Sequence, residues 1–358
     1  MHGDHESILG CLLGLAVGDA LGVPREGMSK RRGERLFPNL ERHHFLLHGG
    51  MFSDDTEHAC ITGQALLVSG GDLDRFTHSL GRRIRWWFAG LPAGIGHATL
   101  KACVKLWCGV SPTRSGVFSA GNGPAMRSPI LGACLGGDRE TLRIFVLAAT
   151  RVTHTDPKAE CGALAVAWAV HRAAETQNTT PPTPSAFVAE VRELLAGEPA
   201  GVDLLASLDI LVASLGVGCT VAEYAETLGL KHGVSGYIYH TVPVAIYAWL
   251  RHPDDYRTAI QATIRLGGDT DTVAAVAGAI IGARVGKAGI PAQLLTGIID
   301  WPRSVRWVES LATRLAEGKW RTSPQPAQTL AWWALPFRNL MFLVVVLLHA
   351  FRRLLPPY

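Results

Sequence analysis

The chain has 358 residues, of which 48% are hydrophobic and 18% are charged. This composition supports a large buried core and excludes wholesale disorder, and neither a collagen nor a coiled-coil repeat is present. The formal charge of +4 is concentrated in residues 319–358, which hold five basic residues and no acidic one. The first 318 residues therefore carry a net charge of −1, and we expect no general nucleic-acid binding.

Apolar patterns with helical spacing recur along the chain, whereas alternating β-branched runs are scarce. The patterns predict helices over residues 8–21, 57–68, 142–150, 158–174, 186–195, 242–250 and 272–285. We therefore predict an all-α fold with one compact domain over residues 1–318. A linker over 319–329 and a hydrophobic, basic helical tail over 330–358 are predicted to follow it.

The seven cysteines suggest a reducing compartment. Their number is odd and no CxxC pair occurs, which argues against a zinc ribbon or a redox dithiol. The first residues lack the basic region of a signal peptide. We expect a cytoplasmic protein without structural disulfides.

Two acidic motifs stand out, SDDTE at residues 53–57 and GGDTDT at residues 267–272. Each precedes a predicted helix, so each could simply cap it, and Asp54 with Glu57 fits a capping box. Alternatively, the two motifs meet in space. Four buried aspartates would then repel one another unless cations intervened, and their charge of −4 balances two divalent ions. Hard oxygen donors of this kind select Mg²⁺ or Mn²⁺.

Six motifs together resemble the ADP-ribosylglycohydrolase family. They are the opening helix GCLLGLAVGDALG at 10–22, SDDT at 53–56, GNGPAMR at 121–127, THTDP at 153–157, SGY at 235–237 and GGDTDT at 267–272. The motifs occur in the family's order and span about residues 8–286. The sequence differs from the usual first metal motif in having Ser53 in place of threonine, which keeps a hydroxyl.

The resemblance implies an all-α domain that binds two Mg²⁺ ions, with Mn²⁺ as an alternative, and hydrolyses the bond between ADP-ribose and its acceptor. The substrate would be an ADP-ribosylated protein or a small ADP-ribosyl compound. The residues that match metal ligands are Ser53, Asp54, Asp55, Asp269, Asp271 and Thr272. The candidates for catalysis are Glu26, Asp54 and Asp55, and those for substrate binding are Gly121, Asn122, Gly123, Met126, His154 and Tyr237.

Several of these residues also have a structural interpretation. Glu26 could be a solvated loop residue, residues 121–127 could be a plain turn, and Tyr237 could be core. The glycines of 121–127 could equally let backbone N–H groups bind a diphosphate at a helix start. Asp156 is interpreted as a helix N-cap, which leaves His154 as the ligand-contact candidate. At the level of function, the alternative is a non-catalytic ADP-ribose-binding or structural member of the fold.

Two further features bear on specificity and location. In the arginine-specific dinitrogenase-reductase type a DIGxT segment follows the first metal motif, and here Gly94 stands in place of its aspartate. In the tail, residues 340–348 are uninterrupted apolar residues, fewer than the roughly 20 that span a membrane. Tryptophans at 332–333 and arginines at 352–353 suit interfacial anchors. The tail could therefore contact a membrane or pack against protein.

Overall fold

A computed structural model describes residues 5–353, and its fold is all-α, as predicted. The helices in this range are α1 (His5–Gly22), α2 (Lys30–Leu36), α3 (Asp54–Ser69), α4 (Leu73–Ala89), α5 (His97–Trp107), α6 (Gly123–Leu135), α7 (Arg139–Arg151), α8 (Pro157–Glu175), α9 (Pro184–Leu194), α10 (Val202–Gly216), α11 (Val221–Thr227), α12 (Ile238–Arg251), α13 (Tyr256–Ile264), α14 (Thr270–Val285), α15 (Ala292–Thr296), α16 (Val305–Ala316) and α17 (Leu335–Arg353). Two short strands, β1 (Met28–Ser29) and β2 (Gly267–Gly268), pair antiparallel, with Met28 opposite Gly268. The seven helices predicted from periodicity correspond to α1, α3, α7, α8, α9, α12 and α14.

The centre of the fold is the pair α1 and α14, whose backbones lie unusually close together. A stripe of glycines on α1, four residues apart, faces the glycines and alanines of α14. A Cβ atom at Gly14 would lie 2.1 Å from the carbonyl oxygen of Gly278, and one at Gly18 would lie 2.1 Å from that of Ala274. The two helices can approach this closely because the glycines have no side chains. The close approach places the buried Asp19 of α1 near the beginning of α14.

The segment predicted as a linker, residues 319–329, lies against the body. The Gln325 amide donates to the carbonyl of Leu67 at 2.8 Å, and the Trp307 indole donates to the carbonyl of Thr329 at 2.7 Å. The predicted tail helix is α17. It contacts the body through Phe342 and Val345, which are buried in a small cluster with Val23, Phe45 and Met51.

Candidate active site

The first acidic motif begins α3 and is held in place by a carboxylate of α1. Asp19 accepts hydrogen bonds from the backbone N–H groups of Ser53 and Thr56, at 3.0 and 3.1 Å. The helix cap is Ser53, whose hydroxyl accepts from the Asp55 amide at 3.2 Å, so the capping box considered for Asp54 is not formed. Asp19 was missed as a site residue, although a lone carboxylate in an apolar helix pattern was a visible signal.

The second acidic motif begins α14 after a turn that only glycine adopts readily. Gly267 and Gly268 have φ angles of +76° and +81°, in the left-handed region. The next residue, Asp269, donates its amide to the carbonyl of Val234 at 2.7 Å. Its side chain makes no helix-capping bond and instead accepts from the Asn122 amide group at 2.7 Å. The side chain of Asp269 is therefore directed away from a capping role, and Asn122 holds it.

The two acidic motifs meet in space, as the second interpretation of the sequence requires. The Thr272 hydroxyl donates to Oδ2 of Asp55 at 3.2 Å, although the two residues are 217 positions apart in the chain. The Ser53 hydroxyl donates to the same oxygen at 3.2 Å. Both hydroxyls thus point to one carboxylate at the junction of α3 and α14.

The carboxylates at this junction share an environment that disfavours their charged forms. Burial is the main cause that raises the pKa of Asp54, Asp55 and Asp271 well above the usual value. The neighbouring charge of Asp19 raises the pKa of Asp54 and Asp55 further, and that of Glu26 raises the pKa of Asp54 and Asp271. A nearby positive charge would relieve this repulsion, so the electrostatics favour a bound cation.

The donor set fits divalent cations that prefer oxygen. The Oδ1 atoms of Asp55 and Asp271 are buried without a hydrogen-bond partner, which leaves them available as ligands. Among residues 5–353, no three His, Cys, Asp or Glu side chains gather tightly enough to ligate one ion by themselves. The hydroxyls of Ser53 and Thr272 belong to the donor set too, and a site that includes them does not need three converging carboxylates. The orphaned carboxylate oxygens and these hydroxyls together make the oxygen-only donor set of a divalent-cation site.

A cavity of about 770 Å³ opens above this junction, a volume within the range of ligand sites. The predicted site residues that line it are Glu26, Asp54, Gly121, Asn122, Gly123, Met126, His154, Asp269, Asp271 and Thr272. Ser53 and Asp55 are buried and do not line the cavity. The cavity therefore brings predicted metal, catalytic and substrate residues to one wall.

Tyr237 and His154 differ in their relation to the cavity. Tyr237 is not part of the lining; it accepts from the Lys158 ammonium at 3.2 Å and packs against the ring of Tyr239. His154 lies in the lining, and burial, with a smaller contribution from the Arg127 charge, lowers its pKa to about 3. The imidazole is therefore neutral at physiological pH. Asp156 caps α8 by accepting from the Lys158 amide at 2.9 Å.

The cavity also holds residues that sequence reasoning did not select. Lys101 is the one lysine or arginine that lines it in the described part of the chain, and His97 lies one helical turn before it. Both belong to α5, which begins at the cavity. Phe118 is also in the lining and is 76% exposed. A lysine on an amphipathic helix carries no sequence signal of its own, so only the folded arrangement identifies it.

The fold and the site together are those of an all-α protein with paired acidic motifs beneath a cavity of nucleotide size. The sequence model of the ADP-ribosylglycohydrolase family matches residues 2–324. The chain belongs to that family, and the prediction that it is an ADP-ribosyl hydrolase, which cleaves a glycosidic bond, is confirmed.

Individual relatives agree with this assignment. An uncharacterized protein of Archaeoglobus fulgidus is 33% identical over 87% of this chain and 96% of its own. The ADP-ribosyl-[dinitrogen reductase] glycohydrolase of Rhodospirillum rubrum is 27% identical, over 82% of this chain and 90% of its own. A solved structure, an ADP-ribosylglycohydrolase-related protein complex, is similar with a TM-score of 0.65 and 26% identity, and covers 88% of this chain and 98% of its own.

Proposed function

We propose that the protein removes ADP-ribose from an acceptor in a reaction that depends on two Mg²⁺ ions, for which Mn²⁺ can substitute, and so reverses ADP-ribosylation. The observation that carries the proposal is the meeting of the two acidic motifs, marked by the hydrogen bond of 3.2 Å between Thr272 and Asp55. That meeting lies beside a cavity large enough for a nucleotide.

The residues that would hold the ions are Ser53, Asp54, Asp55, Asp269, Asp271 and Thr272. Their four carboxylates balance the charge of two divalent ions. When bound, the ions supply Lewis-acid chemistry and a template for the ribose hydroxyls. Two residues outside this set position its members by hydrogen bonds. Asn122 donates to the Asp269 carboxylate, and Asp19 accepts from the backbone N–H of Ser53.

The protein's own carboxylates suit cleavage at the anomeric carbon of the ribose. Departure of the acceptor develops positive charge on the sugar, which Asp54, at the cavity wall, can stabilise, and a water molecule then adds to the anomeric carbon and releases a proton. Glu26 is exposed at the cavity and near enough to raise the pKa of Asp54 and Asp271. It can exchange a proton with solvent and with the leaving group. We assign the acid–base role to these carboxylates, and Asp55, which accepts from the Ser53 and Thr272 hydroxyls, belongs to the same buried set.

The diphosphate of the substrate is expected at the beginning of α6. Gly121 and Gly123 lie there, and backbone N–H groups at a helix start attract anions. Lys101 adds a positive charge to the same cavity. Met126 and the neutral His154 supply surfaces for the rest of the ligand.

Gly94 is the basis for our proposal about which acceptor linkage the protein cleaves. This residue lines the cavity, and nothing lies within 4 Å of the place where its Cβ would be. Recognition of a guanidinium favours a carboxylate, which glycine cannot provide. We therefore propose that an O-linked or other acceptor is preferred over arginine, on a protein or on a small molecule.

The test is release of ADP-ribose from a panel of arginine-, serine- and nucleotide-linked substrates, with Mg²⁺ or with EDTA. We expect turnover of at least one substrate, dependent on Mg²⁺, with the arginine linkage cleaved more slowly. Thermal stabilisation by ADP-ribose without turnover of any substrate would contradict the proposal and indicate a binding protein.

A further inference from the structure

Helix α17 presents an apolar face to the outside. Exposed hydrophobic side chains recur with helical spacing at positions 337, 340, 341, 344, 347, 348 and 351, and Leu343 and, at the end of the helix, Arg352 are exposed as well. Leu340 is 61% exposed and Phe351 is 64% exposed. The helix is about 28 Å long at 1.5 Å per residue. This is a far larger apolar stripe than the isolated hydrophobic residues normal on a protein surface.

Three polar residues of α17, Arg338, Asn339 and His349, face the body, whereas Arg352 is exposed. Arg338 is 7% exposed, and its guanidinium pairs with the buried Asp300 and lies 3.7 Å from Glu57. Asn339 donates to the carbonyl of Gly90 at 2.7 Å, and the His349 ring contacts the carbonyl of Phe45 at 2.9 Å. These bonds fix the rotation of the helix, so its apolar face is held outward.

Loops on either side of the helix extend the same surface. Leu47, Leu91 and Trp301 are exposed, and each belongs to a loop that contacts α17. Leu47 and Leu91 come shortly after Phe45 and Gly90, whose carbonyl groups form hydrogen bonds with His349 and Asn339 of α17. The ring of Trp301 lies 5.7 Å from that of Trp333, which precedes α17. We call this set, together with the outward face of α17, the tail surface.

Basic side chains lie near both ends of the tail surface. Arg352 is exposed in the last turn of α17, whereas Arg338 of the same helix is buried against the body. A groove of about 710 Å³ beside the start of α17 is lined by Arg82, Arg83 and Trp86 of α4 and by Trp332, which is 76% exposed. Tryptophan and arginine beside an apolar face are the residues that anchor proteins at the boundary between lipid and water.

We propose that the tail surface docks the protein on an anionic phospholipid bilayer, with α17 lying in the plane of the interface. The stretch Trp332–Arg352 is long and apolar enough to span a membrane by length and composition. A spanning arrangement, however, would remove Arg338 from Asp300 and leave buried charges unpaired.

The experiment is co-sedimentation of the full chain with vesicles of phosphatidylcholine alone or of phosphatidylcholine with phosphatidylglycerol at a ratio of about 3:1. We expect binding to the anionic vesicles that is at least tenfold stronger than to the neutral ones and that weakens with salt. A variant with Phe337→Ser, Leu340→Ser and Leu348→Ser should bind at least tenfold less. The control Ile210→Ser, at an exposed position of α10, should bind like the unmodified protein.

Three results would overturn the proposal. The folded, unmodified protein could fail to sediment with anionic vesicles. Binding could survive the triple substitution while circular dichroism and the unfolding midpoint match the control. Alternatively, light scattering could reveal a dimer that the triple variant loses, without vesicle binding by either form, which would assign the surface to a second copy. Because hydrolysis of a soluble substrate is measured separately, failure here leaves the proposed activity intact.

Discussion

At the scale of single residues, the site is defined by carboxylates that the fold buries without full hydrogen bonding. Asp271 is the clearest case, since its Oδ1 atom has no partner and it is 4% exposed. A buried group in this state costs stability in the folded protein unless a cation binds.

Replacement of Asp271 by Asn should therefore abolish turnover and the Mg²⁺-dependent rise of the unfolding midpoint together. The metal-free variant should be at least as stable as the metal-free parent, because one buried like charge has been removed. Calorimetric unfolding with EDTA and with Mg²⁺ measures both effects. The exposed Asp74→Asn on α4 is the control, and a Mg²⁺-dependent shift of similar size in all three proteins would contradict the assignment.

A prediction about the acceptor linkage can be tested at Gly94. Gly94→Asp should raise kcat/KM on an arginine-linked peptide relative to a serine-linked one, because a carboxylate can pair with the guanidinium. The residue has a φ of +83°, so any side chain strains the backbone, and Gly94→Asn provides the matched control without the charge. Equal arginine-to-serine ratios for the parent and both variants would show that this position does not set specificity.

At the scale of elements, the site depends on the close pairing of α1 with α14. Gly14→Ala would place a Cβ 2.1 Å from the Gly278 carbonyl oxygen. Overpacking of this kind costs about 1–3 kcal/mol or more of unfolding free energy. It should also weaken Mg²⁺ binding, since the helix positions Asp19. In urea unfolding, Gly216→Ala is the control, because no atom lies within 4 Å of its Cβ position. A loss no larger than the control's would contradict the packing argument.

The docking of α17 is the second prediction at this scale. Arg338→Met should lower the unfolding free energy by about 3–5 kcal/mol, because it leaves the buried Asp300 without this ion-pair partner. The exposed pair of Arg192 with Asp209 should contribute about 1 kcal/mol or less, so Arg192→Met is the comparison. If both variants lose the same small amount in denaturant titrations, the α17 contact does not stabilise the fold.

The sequence predicted helices best where one face or the whole element is apolar. Helices α1, α8 and α14 are almost wholly buried, and their apolar runs were recognised without the structure. Helices α4 and α16 were not predicted although each has an apolar inner face and a charged outer face, and the largely apolar α10 was not predicted either. The bonds that hold residues 319–329 on the body join side chains such as Trp307 and Gln64 to backbone groups of the segment, and the sequence does not show which side chain meets which backbone group.

At the scale of the whole molecule, the contact between Asp55 and Thr272 is a feature that local sequence patterns could not predict. The residue types predicted a cation site and the motif order predicted the family, but spacing alone could not bring together residues 217 positions apart. Only the packing of α1, α3 and α14 does so. Lys101 was missed for the same reason, because its importance lies in what the fold places beside it.

The central claim is that the two acidic motifs form one cation-dependent hydrolytic site, and removal and return of the metal tests it most directly. Protein treated with EDTA and dialysed should release no ADP-ribose from a substrate that the untreated enzyme cleaves. Addition of Mg²⁺ should restore the rate, with Mn²⁺ also effective. Full activity of the folded protein after verified removal of divalent ions, unchanged when Mg²⁺ is returned, would contradict the account.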